Sequence, residues 1–236
     1  MNKLHIPPLD EQAAKTALEH QKILAKPPLA LGKLGPVAIQ IAAMTGNPAP
    51  RLKDKAVVLF AADHHIADHG LSLTSTDVTY IQTRNFLQGG GTINAFTRNA
   101  GARLSVVDVG VNYDFGDLPG LVKRKVMHGA NDFSRGPAMT REQALECLQV
   151  GIDMAREEKA RGLDIVAAGE MGIGNTTPSS AIVAVLTGTP VETVTGRGSG
   201  VKGEVIRKKI ELIEQGIALN KPDPSDAIDV LAKVGG

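Results

Sequence analysis

Tryptophan is absent from these 236 residues, and aromatic residues make up only 3%. So thin a supply argues against the base-stacking platforms of single-strand nucleic-acid binders. Charge of one sign is also lacking: 26 Lys and Arg face 25 Asp and Glu, a formal net charge of +1. That balance speaks against broad electrostatic attraction to nucleic acid or to an anionic membrane. The single cysteine, Cys147 within Ala144-Leu145-Glu146-Cys147-Leu148, has no internal disulfide partner. It reads as a small buried apolar residue on a helix, in a reducing compartment. Long apolar runs are missing from the N-terminus, where Asp10, Glu11 and Glu19 intervene. Neither a signal peptide nor a membrane span is expected, and a cytoplasmic location is.

What is present suits one sizeable α/β domain with a small satellite: 42% hydrophobic and 22% charged residues, both ordinary for a globular chain. Residues 9–24 carry Ala13, Ala17, Leu18 and Ile23 at helical spacing until Lys26-Pro27-Pro28 stops them. Residues 33–44 repeat the pattern with Leu34, Val37, Ile41 and Ala42, and Asn47-Pro48-Ala49-Pro50 breaks it. Residues 1–50 are therefore expected to form an N-terminal helical appendage, and residues 51–236 an α/β domain. Three apolar runs read as strands: Ala56 to Ala62, Leu104 to Val109, and Asp164 to Ala168. The first is continuous rather than alternating, as a parallel strand covered on both faces is. A helical stretch from Asp77 to Ala100 separates the first two. Another, from Arg141 to Lys159, separates the second and third, and Thr140 and Gln143 sit at capping-box spacing before it. A further helix is expected near Thr177-Pro178. Such alternation predicts an α/β fold with a doubly wound, three-layer, mainly parallel sheet. Ligands in these sheets lie beyond the carboxyl ends of the strands.

Those ends carry the polar residues. Asp63-His64-His65-Ile66-Ala67-Asp68-His69 follows the first strand. Without an HExxH motif or a cysteine pair it reads as a substrate-lining loop rather than a metal site. Gly89-Gly90-Gly91-Thr92 is neither a Walker A loop nor a dinucleotide fingerprint, and reads as a helix break rather than a phosphate cradle. Gly169-Glu170-Met171-Gly172-Ile173-Gly174-Asn175-Thr176-Thr177-Pro178 joins a strand to a helix, bringing amides and hydroxyls to an anion-binding position. Glu170 there could stabilise positive charge, accept from ribose hydroxyls, take a proton, or simply satisfy a turn. Thr195-Gly196-Arg197-Gly198-Ser199-Gly200 precedes Arg207, Lys208 and Lys209; Lys208 reads as part of a solvated face.

These motifs together resemble the nicotinate-nucleotide:dimethylbenzimidazole phosphoribosyltransferase family, which activates the lower ligand of cobalamin. The resemblance runs through Leu31-Gly32-Lys33-Leu34, Ala62-Asp63-His64, Val78-Thr79, Val107-Asp108-Val109-Gly110 and Arg135-Gly136-Pro137-Ala138-Met139. Gly169-Glu170-Met171-Gly172 with Asn175-Thr176-Thr177-Pro178 is its most distinctive part, and Ile228 to Gly236 closes it. It implies a large Rossmann-like domain, a small helical domain built from both chain ends, and a homodimer without cofactor or metal. The implied reaction moves phosphoribose from nicotinate mononucleotide to 5,6-dimethylbenzimidazole or a related base, giving α-ribazole 5′-phosphate and nicotinate. By position, Glu170 would face the ribose, and Gly172, Asn175, Thr176 and Lys209 the phosphoribosyl group. Thr74 and Gln82 would line the pocket of the incoming base, with Asp63 and His64 beside the substrate. Thr74 stands where serine is common, and His65 where glycine is usual. The family continues beyond Gly236 with its general-base glutamate, so an impaired or purely nucleotide-binding chain is the alternative expectation.

Overall fold

The computed structural model describes residues 5–236, which divide into two compact units at Lys53/Asp54. The first unit is a pair of helices, α1 (Glu11–Ile23) and α2 (Leu34–Thr45). Asp10 caps α1 by accepting from Ala13 N at 2.9 Å, and its own amide donates to Ala43 O of α2 at 2.9 Å. Gln21 Nε2 donates to Gly35 O at 3.0 Å, so a polar contact at each end holds the pair together. Ala13, Ala17, Ala42 and Ala43 form its small buried seam.

The second unit is built on four parallel strands: β1 (Lys55–Ala62), β2 (Ala102–Gly110), β3 (Leu121–Lys123) and β4 (Ile165–Met171). Their order is β3-β2-β1-β4. The chain thus builds outward from β1 on one side and then crosses to the other. Between β1 and β4 lies the switch point where doubly wound sheets open a crevice. Side chains alternate along β1. Val58 and Phe60 join Val107, Val109, Val150 and Met154 under α5 (Arg141–Ala160). Leu59 points to the opposite face, where Gly169 lies against Leu59 and Ile93. That face carries α3 (Val78–Leu87) and α4 (Thr92–Ala100). The arrangement is a three-layer α/β sandwich.

The helical stretch from Asp77 to Ala100 breaks at Gly89-Gly90-Gly91, as that glycine run implies, with Gly89 at a φ of 81°. The Asn94 side chain then accepts from Gly91 N at 2.9 Å and opens α4. β4 is less covered than β1. Ile165 and Val166 are half-exposed on an open sheet edge, a feature that invites pairing with another strand. Cys147 is half-buried rather than buried, and burial pushes its thiol pKa up.

The remaining helices are α6 (Thr176–Thr187), α7 (Val191–Val194), α8 (Glu204–Asn220) and α9 (Ala227–Val234). With α5 they enclose the larger core, in which Phe133, Ala181, Ile213, Val230 and Val234 are fully buried. The capping box on α5 is present: Thr140 Oγ1 accepts from Gln143 N at 3.2 Å and Gln143 Oε1 from Thr140 N at 2.9 Å. Among the described residues no helix is long and apolar enough to cross a membrane.

Candidate active site

The carboxyl ends of β1 and β4 are adjacent because Ala61 pairs with Met171. The loop after β1 is fixed by its backbone. Asp63 N donates to Gly110 O at 3.0 Å, Ala130 N to Asp63 O at 2.9 Å, and His65 N to Ala130 O at 2.8 Å. Asp63 Oδ2 accepts from Asn112 N at 2.8 Å, while the buried Oδ1 has no partner. His65, beside it, points away into a clamp. Its Nδ1 lies 3.1 Å from Asp68 Oδ2 and its Nε2 3.0 Å from His128 O. Both ring nitrogens face acceptors. Burial opposes the charged ring, but Asp68 and the His128 carbonyl overcome that and leave its pKa raised.

The loop after β4 turns tightly into α6, with Asn175 N donating to Gly172 O at 3.2 Å and Thr177 N to Gly174 O at 2.9 Å. Its Ile173 amide is held by Thr79 Oγ1 of α3 at 3.1 Å. Only glycine fits at 172: a β-carbon there would strike Ala62 O and crowd Glu170 and His64. Asn175 Nδ2 donates to Glu170 Oε2, which aims the carboxylate. The other oxygen, Oε1, lies 3.8 Å from His64 Nε2. Glu170, His64 and Asn175 form the polar rim of a cavity of about 430 Å³ whose walls are Phe60, Ala62 and Val109 of the sheet and Pro178 and Ile182 of α6. Such a volume suits a small organic ligand.

One residue further on, Thr176 Oγ1 accepts from Lys209 Nζ at 2.7 Å, and Gly196 O accepts from the same ammonium at 3.3 Å. Lys209 on α8 is only 1% exposed, and burial pushes its pKa down. Both hydrogen-bond partners are neutral oxygens, so its charge is solvated in part but not neutralised. An ammonium in that state is a ready anion site. Lys208, its neighbour, is exposed and donates to His69 O at 2.7 Å.

His64, Glu170, Gly172 and Asn175 are therefore brought together, with Thr176 next in the chain and Lys209 of α8 in contact with it. The Asp63 side chain lines a smaller cavity with His65, Asp68, Tyr80 and Asn112. Thr74 and Gln82 stand apart from the cavity walls. Thr74 is exposed and bonds to Ser72, whose hydroxyl is 3.3 Å from Ser199 Oγ in the 196–200 loop. Gln82 on α3 accepts from Asn85 Nδ2 at 3.0 Å. The hydroxyl of Thr177 is buried and without a partner; nothing in a Thr-Thr-Pro string says which threonine is left unpaired. No group of His, Cys, Asp or Glu among the described residues is arranged to hold a metal ion.

A family model described as "Phosphoribosyltransferase" (DBI_PRT) matches residues 6–236. The nicotinate-nucleotide–dimethylbenzimidazole phosphoribosyltransferase of Geobacter sulfurreducens is 50% identical over 97% of this chain and 65% of its own length. The enzyme of the same name from a Roseiflexus species is 50% identical over 98% of this chain and 65% of its own. Two solved structures from Thermus thermophilus superpose closely. One, of CobT, has a TM-score of 0.90 and 42% identity over 95% of this chain and 67% of that one. The other, of nicotinate-nucleotide–dimethylbenzimidazole phosphoribosyltransferase, has a TM-score of 0.89 and 41% identity over 97% and 67%. The chain spans 65% of the length of the first two relatives. By sequence and by fold alike, it belongs to the nicotinate-nucleotide–dimethylbenzimidazole phosphoribosyltransferase family.

Proposed function

We propose that this chain transfers phosphoribose from nicotinate mononucleotide to 5,6-dimethylbenzimidazole or a related base, releasing nicotinate and forming α-ribazole 5′-phosphate. The carrying observation is one chain turn: Glu170 is aimed by Asn175, and the next residue, Thr176, holds a buried Lys209 that lacks a counter-anion. A phosphorylated sugar presents an anion and a reactive carbon some ångströms apart, and this turn presents a cation and a carboxylate in the same way.

In the reaction, one ring nitrogen of the base bonds to the anomeric carbon while the bond to nicotinate breaks and its electron pair leaves with the pyridine ring, and the proton on the base's other ring nitrogen is released to water. Positive charge builds on the ribose in between. Glu170 lies where a fixed negative charge favours that charge, and because Asn175 holds it, little reorganisation is needed when the charge appears. Lys209 and Thr176 bind the phosphate and thereby fix the sugar over the carboxylate. His64 and Gly172 shape the floor, and Asp63 belongs to the same reading through the loop that carries His64. Thr74 and Gln82 belong to the same reading as residues of the incoming-base side. A cytoplasmic homodimer is part of it too, supported by the family likeness and by the lone thiol.

The test is a single-turnover assay of the 236-residue chain with nicotinate mononucleotide and dimethylbenzimidazole. Formation of α-ribazole phosphate is expected; nucleotide binding without product would instead favour a binding module. Glu170→Gln should lower turnover about 10²-fold while changing nucleotide affinity little. A variant that lost affinity and kept its rate would remove Glu170 from the proposed role.

A further inference from the structure

The imidazole of His64 stands at the carboxyl end of β1 with its side chain only 7% exposed. Neither Nδ1 nor Nε2 has a hydrogen-bond partner. A buried polar nitrogen left unpaired costs stability that a leucine in its place would not. The residue is thus poorly explained by folding alone, and its position explains it better. Nε2 faces Glu170 Oε1 across 3.8 Å, too far for a direct hydrogen bond. Glu170 Oε2 is already occupied by the Asn175 amide, so Oε1 is the oxygen left facing the ring. The floor between them is Gly172, where a β-carbon would come within 2.9 Å of both Nε2 and Oε1. Glycine keeps that space open.

A carboxylate only accepts, and an imidazole with its proton on Nε2 donates. A hydroxyl does both. One hydroxyl between them donates to Glu170 Oε1 and accepts from His64 Nε2–H, satisfying a buried nitrogen that the protein leaves unpaired. An anionic group would be repelled by Glu170, and an apolar one would leave His64 Nε2 unpaired.

We propose that His64 is a specificity-determining residue which, paired with Glu170 across Gly172, selects a sugar bearing a hydroxyl at this point, and so ribose over deoxyribose. The proposal rests on the phosphoribosyl reading of the site and adds the group that discriminates. Sites built to pair with a hydroxyl reject its absence more strongly than apolar pockets reject its presence.

Calorimetric titration of the 236-residue chain tests this with nicotinate mononucleotide and its 2′-deoxy and 3′-deoxy analogues. Ribose 5-phosphate and 2-deoxyribose 5-phosphate are titrated beside them. The unaltered protein should bind at least one deoxy analogue about tenfold more weakly than the parent nucleotide. His64→Leu should bind parent and analogues alike, with a thermal midpoint equal to or above that of the unaltered chain. His64→Gln, which keeps a donor, should restore part of the preference. Equal binding of all analogues by the unaltered protein overturns the proposal. So does full discrimination by His64→Leu, or a His64→Leu chain that melts several degrees lower or does not fold. If nicotinate mononucleotide fails to bind but ribose 5-phosphate binds with a His64-dependent preference, the reaction assignment falls and the hydroxyl site stands. If the unaltered chain binds no sugar phosphate at all, both fall.

Discussion

Two buried charges show how differently a single residue is accommodated. Glu158 is fully buried on α5, yet it is surrounded by donors: Ser105 Oγ at 2.7 Å, Arg103 Nε at 3.2 Å and Arg161 at 3.0 Å. Burial raises its pKa, but those hydrogen bonds outweigh burial and leave it below the ordinary carboxylate range. A depressed carboxylate stabilises the fold above its unfolded pKa of about 4.3 and loses that contribution as pH falls through the folded value. Glu158→Gln should therefore cost about 2–4 kcal/mol at pH 7, the arginines being partly exposed, and the gap to the unaltered chain should narrow in acid. Urea midpoints at pH 7 and at pH 3.5 check this; a gap of constant size would refute the ionic account. Lys209 is the converse, a buried cation with neutral partners. Lys209→Met should melt no lower than the unaltered chain without ligand, because no ion pair is broken. It should bind nicotinate mononucleotide about 10- to 100-fold more weakly. Unchanged affinity by calorimetry would take the lysine out of the phosphate site.

At the scale of elements, helical glycines separate packing from propensity. Gly216 of α8 lies against Phe133, so a β-carbon would strike the ring at Cδ2 and sit 3.0 Å from its carbonyl oxygen. Gly216→Ala should destabilise by about 1–3 kcal/mol through overpacking of the larger core. Gly151 in the middle of α5 has nothing within 4 Å of a built β-carbon, and Gly151→Ala should stabilise by about 0.5–1 kcal/mol. Thermal midpoints moving in the same direction would contradict the packing. Much of this layout was legible in the sequence. The apolar runs at Ala56 to Ala62 and Leu104 to Val109 stand out because buried parallel strands need no polar face. Thr140 and Gln143 mark the start of α5 by chemistry local to the chain. Other features depend on partners distant in sequence and were not legible. β3 spans only Leu121–Lys123, too short to show a period. The run Arg207-Lys208-Lys209 cannot say which lysine turns inward; only α6 and α8 meeting across Thr176 decides it. The motif at Gly169 to Pro178 points to the candidate site, but that His64 lies opposite Glu170 follows from β1 and β4 being neighbours.

The whole molecule divides unevenly, and the division has a measurable consequence. Residues up to Lys53 contribute helices of 13 and 12 residues, lengths at which a helix in water is marginal without tertiary support. Their shared seam is four small side chains, while Ile23, Leu29 and Leu34 are largely exposed. So little buried apolar area does not offset the entropy of ordering that unit. The unit from Asp54 onward has a four-stranded sheet and a core running through α5, α6, α8 and α9. Expressed alone, residues 54–236 should melt in one cooperative transition by calorimetry, whereas residues 5–53 alone should show weak helical circular dichroism that fades gradually on heating. Limited proteolysis of the full chain should cut first within residues 46–54, which lie outside any helix or sheet ladder until β1 begins and include Pro48 and Pro50. A chain of residues 54–236 that failed to fold, or a first cut within β1 or β2, would show that the core of the larger unit does not stand by itself.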